Sequence, residues 1–141
     1  MVDARGLALL QGLYFLVTGL WPVVHLASFE AVTGPKKEDW LVRTVGLFVS
    51  AIGAALTWSA VRRDVDEHTR TVGALGALAP ALIDTYEAGR GRISRVYLVD
   101  ALAEWLFLAL WIRARALSTT SNKAPVAGHV RVRANEFVEV S

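Results

Sequence analysis

Asp100 and Glu104 stand four residues apart inside an otherwise uncharged apolar run, residues 96–112. On a helix that spacing puts both carboxyls on one face, about 6 Å from one another. Glu104 would lie about 12 Å along such a helix from Val96, at 1.5 Å per residue. An acid at that depth in a bilayer costs about 2.5–3.5 kcal/mol even on lenient insertion scales. It must therefore be paired, protonated or facing water. Carboxyls so placed can hold a proton, a cation or a hydrogen-bond donor. Asp84 and Glu87 close a third apolar run at a spacing of three, and His25 and Arg43 lie near the ends of two others.

Each of these residues has a plainer role open to it. Arg43 can neutralise Asp100 as a clasp between helices, which would be structural only. The other reading of Asp100 and Glu104 is a ligand- or proton-binding site. A lone histidine without a second ligand at fixed spacing is a poor metal site. His25 is then a hydrogen-bonded core residue, a proton-exchanging partner of the two acids, or an axial ligand to a tetrapyrrole. Asp84 and Glu87 are either rim groups of the site, meeting Arg90, Arg92 and Arg95, or an ordinary solvated helix end.

Several chemistries find no residues here. There is no cysteine, which removes thiolate metal sites, disulfides and thiol catalysis. There is no phosphate-binding glycine loop, no His-rich metal motif, no nucleophile with an adjacent base and no ladder of arginines. A formal net charge of +2 gives no nucleic-acid footprint. The sequence names no cofactor and predicts no metal. An enzyme is the less favoured reading.

The elements that position these residues are read from hydropathy. Hydrophobic residues make up 54% of the 141, charged residues 20%, and mean hydropathy is +0.40, which suits a bilayer protein better than a soluble domain. Four apolar stretches, 7–29, 40–61, 71–88 and 96–112, follow one another. Each is near the length that crosses a hydrocarbon core of about 30 Å. The first is too long for a signal core and lacks a cleavage site, so it is read as a retained helix. The third is the weakest, and alone would suit a re-entrant segment. The fold expected is all-α: a four-helix antiparallel transmembrane bundle over residues 1–117, helical over most of 7–29, 40–62, 71–88 and 96–115. A polar C-terminal tail, 118–141, follows.

Each stretch carries small or polar residues at helical spacing. The first has Gln11, Tyr14, Thr18, Trp21 or Pro22, and His25. The second has Arg43, Gly46, Ser50, Gly53 and Thr57. The third has Gly73, Ala77, Pro80, Asp84 and Glu87, and the fourth Tyr97, Asp100, Glu104 and Trp111. In lipid such faces turn inward, small residues for close approach and polar ones to bond across helices. Pro22 and Pro80 are expected to kink their helices. Trp21, Trp40, Trp58 and Trp111 sit near stretch ends, where an aromatic belt belongs, while Trp105 is deeper and a candidate lining of the polar site. The face with the N-terminus, second loop and tail carries nine Lys and Arg against six opposite, which orients both termini to the cytoplasm. The segment 130–140 alternates apolar and polar residues, a single strand without a partner in this chain or a partner-binding arm.

A resemblance enters through particular runs. Gln11-Gly12-Leu13-Tyr14, Gly19-Leu20-Trp21-Pro22, residues 29–36 and 40–46, Ile83-Asp84, and Tyr97-Leu98-Val99-Asp100 with Glu104 resemble those of small four-span bacterial membrane proteins of the DoxX-like kind. The resemblance covers roughly residues 7–115 and implies a four-span bundle in the bacterial cytoplasmic (inner) membrane. It implies no activity. A looser analogy of fold is to sterol-isomerase-like proteins, whose membrane cavities use acids and a histidine.

Two functions are expected from these features. The first is a non-enzymatic accessory or stabilising subunit of a larger membrane complex, with the lipid bilayer and other membrane subunits as partners through the helix faces and the tail. The alternative is a self-contained binder, transporter or isomerase-like enzyme for a small amphipathic ligand, using His25, Arg43, Asp84, Asp100 and Glu104.

Overall fold

The computed structural model describes residues 3–121, all of them helical or in turns. Five helices follow one another: α1 (Ala4–Val24), α2 (Leu26–Thr33), α3 (Asp39–Arg62), α4 (Glu67–Gly89) and α5 (Tyr97–Ser121). The four long helices fall close to the four apolar stretches. α5 continues to Ser121, into the segment read as tail, and the strand expected over 130–140 lies outside the described residues.

The first stretch is not one helix. Pro22 has no N–H to give the Thr18 carbonyl, and one residue beyond the end of α1 His25 leaves the helical region at φ −145°, ψ 78°. The chain restarts there as α2, a short helix set across the end of the bundle. Gly34 ends it at φ 87°, a conformation that suits glycine. The starts of α1 and α4 are capped by side chains. Asp3 accepts from the Gly6 N–H at 2.7 Å and starts α1, and Asp66 does the same for α4 through the Thr69 N–H at 2.8 Å.

α1 and α3 form the tightest pair. They run antiparallel with Gly12 against Gly53 and Gly19 against Gly46. A Cβ on Gly12 would stand 2.9 Å from the Gly53 carbonyl oxygen, and one on Gly53 would stand 2.7 Å from that of Gly12. Two glycines seven residues apart on each helix thus let two backbones touch. The same register brings the Arg5 guanidinium to the Ala60 carbonyl at 2.9 Å. α4 packs mainly on α5 through alanines, among them Ala74, Ala77, Ala81 and Ala101.

Two of the helices, α1 and α3, are long and apolar enough to cross a membrane. The expectation of four was too generous by that measure. α4 and α5 have the length, but Glu67, Arg70, Asp84 and Glu87 interrupt the one, and Asp100, Glu104, Arg113 and Arg115 the other. What all four share is an apolar outside. Val17 and Val24 of α1, Phe48 of α3, Leu75 of α4, and Val99 and Leu102 of α5 are each at least 60% exposed. Gln11, Ser50, Asp84 and Glu104 are buried. Polar groups inside and apolar groups outside reverse the usual order of a protein in water.

Candidate functional site

The two helix pairs, α1–α3 and α4–α5, meet along one end of their length and enclose a cavity towards the other. At the joined end the Gln11 amide donates to the Gly73 carbonyl at 2.9 Å, and the Trp111 indole N–H donates to Gln11 Oε1 at 2.6 Å. Gln11 and Trp111 are fully buried. This chain of bonds ties α1 to both α4 and α5. Gly73 has no side chain because the Trp111 ring lies where it would be: a Cβ there would stand 2.6 Å from Nε1.

Beyond that layer α3 and α4 part. They are still in touch at Ile52 and Gly76, where a Cβ on Gly76 would meet the Ile52 Cγ2 at 3.4 Å. Past these residues lies a cavity of about 990 Å³, large enough for a drug-sized molecule. Its walls are mostly apolar. Leu41, Val45 and Phe48 line it from α3, and Ile83 and Val99 from α4 and α5. These five are also exposed on the outer surface, so the cavity opens sideways between α3 and the α4–α5 pair. α2 and the loop after it close the end, with Phe29, Val32, Thr33 and Lys36 in the wall.

The polar groups of the cavity are concentrated. Asp84 from α4, Asp100 and Glu104 from α5, and Tyr14 from α1 all line it. The Tyr14 hydroxyl donates to Asp100 Oδ1. Its ring packs against Phe107, 5.6 Å between centroids, which fixes where the hydroxyl points. The Asp84 carboxyl stands beside that of Asp100. Glu104 is only 2% exposed, and its Oε2 has no hydrogen-bond partner among the described residues. A buried, unpartnered carboxyl oxygen is costly. Lys36 is the cation of the cavity wall. Its ammonium donates to the Thr33 carbonyl at 3.1 Å and stands 4.9 Å from the centre of the Tyr97 ring. The two prolines add acceptors. Pro22 and Pro80 withhold the helical N–H from the carbonyls of Thr18 and Gly76, and all four residues line the cavity.

Of the residues singled out by type and spacing, Asp84, Asp100 and Glu104 come together here. Arg43 and His25 do not. Arg43 is exposed and makes no ion pair among the described residues. The partner of Asp100 is Tyr14, so the expected Arg43–Asp100 clasp is replaced by a hydrogen bond. Residue 43 lies at the right depth but on the outward side of α3, between the inward-facing Val42 and Gly46. His25 is exposed at the break between α1 and α2, where its Nδ1 accepts the Ser28 N–H at 3.2 Å. It caps a helix. Glu87 is bound to Arg92 at 3.5 Å and is absent from the cavity wall, so it is not a rim group of the site. The tryptophans exchange places: Trp111 is buried at the polar layer, whereas Trp105 is exposed, bonds Thr85 at 3.1 Å and is absent from the cavity wall.

Tyr14 and Gln11 were legible as members of an inward face but not as site residues. The signal was present: two hydrogen-bonding side chains three residues apart in the least polar stretch of the chain. Among the described residues no group of three or more His, Asp or Glu is arranged to hold a metal ion. The arrangement can accept hydrogen bonds, bind a cation and pass a proton between Tyr14, Asp100 and Asp84. No protein-family model matches the chain, and it matches neither a curated protein nor a solved structure.

Proposed function

We propose that this chain is a multi-pass membrane protein of the bacterial inner membrane, with α1, α3, α4 and α5 crossing the bilayer. We further propose that it binds a small amphipathic molecule between its helix pairs. The observation that carries the reading is the cavity: about 990 Å³, apolar in its walls, with Tyr14, Asp84, Asp100 and Glu104 gathered in it. Apolar walls with a few convergent polar groups are what a small-molecule site consists of. The apolar outer surface supports the membrane part. Contiguous apolar patches of more than a few hundred Å² are rare on a protein surrounded by water. The acids that lower the hydropathy of α4 and α5 do not count against crossing, because Asp84, Asp100 and Glu104 face the cavity rather than the outside. Both termini are then cytoplasmic, on the count of Lys and Arg.

The accessory-subunit reading rests on small size, on packing-type helix faces and on the strand-like segment 130–140, which lies outside the described residues. One experiment separates the two. Membranes containing the protein are washed with alkaline carbonate, and the protein is purified in mild detergent for native mass spectrometry. Retention in the membrane pellet and a substoichiometric or 1:1 small-molecule adduct, lost on filling the cavity with Ala79→Phe, are expected. Release into the wash refutes the membrane reading. A stoichiometric second polypeptide with no small-molecule adduct refutes the binding reading in favour of the subunit.

A further inference from the structure

We propose that the cavity selects a cationic amphiphile, an apolar body carrying a primary or secondary ammonium, with Glu104 as the anchor of the head group. The inference rests on the reading of the cavity as a binding site and specifies what it takes.

Three carboxyls line the cavity, from Asp84, Asp100 and Glu104, against the one ammonium of Lys36. That ammonium is committed to the Thr33 carbonyl and to the faces of Phe29 and Tyr97. Asp100 is served by Tyr14, and Asp84 by Asp100. Glu104 is what remains: buried, with Oε2 unpartnered, one helical turn deeper than Asp100. A buried acid without a partner calls for a donor, and a donor carrying positive charge is the better complement where carboxyls outnumber cations.

The carbonyls of Thr18 and Gly76, deprived of helical donors by Pro22 and Pro80, are acceptors in the same walls. An ammonium with two or three N–H groups can serve Glu104 and a carbonyl at once. An anionic head would meet three carboxyls. A hydroxyl has one proton to give.

The opening lies between α3 and the α4–α5 pair, and its rim residues Leu41, Phe48, Ile83 and Val99 are part of the apolar outer surface. A molecule dissolved in the bilayer passes in without crossing water. Its apolar part stays among those residues while the head reaches inward to Glu104.

The test uses three probes with the same chain and different heads: dodecylamine, dodecanol and dodecanoate. Each is titrated into the purified full-length protein in dodecylmaltoside, and 1:1 adducts are followed by native mass spectrometry. The expected result is a saturable dodecylamine adduct at least tenfold tighter than the dodecanol adduct, and none with dodecanoate. Glu104→Gln should bring dodecylamine down to the dodecanol level. Glu87→Gln, which removes an acid outside the cavity, should leave it unchanged. Equal binding of dodecylamine and dodecanol to the unaltered protein overturns the cationic specificity while the cavity remains a binding site. Absence of a 1:1 adduct with all three probes overturns both. The comparison among probes needs no variant, so a Glu104→Gln protein that fails to fold does not shelter the proposal.

Discussion

Replacing Gly12 by alanine should weaken the bundle, although alanine is the better helix former. A Cβ at residue 12 would stand 2.8 Å from the Thr57 amide nitrogen and 2.9 Å from the Gly53 carbonyl oxygen. Comfortable contacts of carbon with heavy atoms lie at about 3.5–4.0 Å. The Thr57 hydroxyl is met as well and can rotate away, but the two backbone atoms cannot. α1 and α3 must separate by roughly 0.6–1 Å, which forfeits about a quarter to a half of each dispersion contact along the seam. Overpacking of this kind costs about 1–3 kcal/mol. The gain in helix propensity returns about 0.5–1 kcal/mol, so the expected net loss is at most about 2.5 kcal/mol. Gly89→Ala is the control, since nothing lies within 4 Å of a Cβ there, and it should be neutral or slightly stabilising. Gly53→Ala should behave like Gly12→Ala. The double variant should lose less than the two single losses added, because the first substitution already opens the space the second needs. The measurement is unfolding in mixed micelles of dodecylmaltoside and dodecyl sulfate, followed by far-ultraviolet circular dichroism. If Gly12→Ala shifts the midpoint no more than Gly89→Ala does, the close approach of α1 and α3 is not there.

Two further predictions address the polar joint and a helix cap. Trp111→Phe keeps the ring but strands the Gln11 Oε1 that the indole N–H satisfies at 2.6 Å, so it should cost about 1–3 kcal/mol in the same unfolding assay; a loss below a few tenths would mean that the bond carries no weight. Asp66, at the start of α4, has its carboxyl held below the ordinary range by the backbone N–H of Thr69, with the Thr69 hydroxyl adding to it. Its folded-state value is the lower one, so its contribution is present above the unfolded value of about 3.9 and fades as pH falls through the folded one. Protection factors of the amides in the first turn of α4, each exchange rate taken relative to its intrinsic rate at the same pH, should therefore fall on acidification from pH 5 to pH 2. Asp66→Asn should remove that acid dependence, and an unchanged profile in the variant would count against the cap.

How much of this was written in the sequence differs from residue to residue. The long helices were legible because their apolar runs are long and the charges between them are dense. Inward faces were legible too, since Gly46, Ser50 and Gly53, or Gly73, Ala77 and Asp84, recur at the helical period. The break at His25 was not: Pro22 announces a kink, but whether the helix resumes beyond it depends on how the next residues cap, and Ser28 decides that through both its N–H and its hydroxyl. Charge pairing was the least legible part. Matching Arg43 to Asp100 by depth ignores azimuth, and one residue is a rotation of 100° on a helix of 3.6 residues per turn. At residue 43 that rotation points the guanidinium outward.

The misplacement of Arg43 has a consequence for the whole site. Had an arginine sat beside Asp100, the carboxyls of α5 would form a closed clasp, and the cavity would be a packing defect next to it. With Arg43 outside, the acids bond one another and a tyrosine, and Glu104 is left over. A bundle in an apolar medium could discard such a residue for leucine at a gain in insertion energy of a few kcal/mol. On the proposed reading, the head group of a bound molecule completes its bonding. The same logic explains the two ends of the bundle. At Gln11, Gly73 and Trp111 the polar groups satisfy one another and the helices close; at the acids Glu104 Oε2 is left without a partner, and the cavity lies between α3 and the α4–α5 pair.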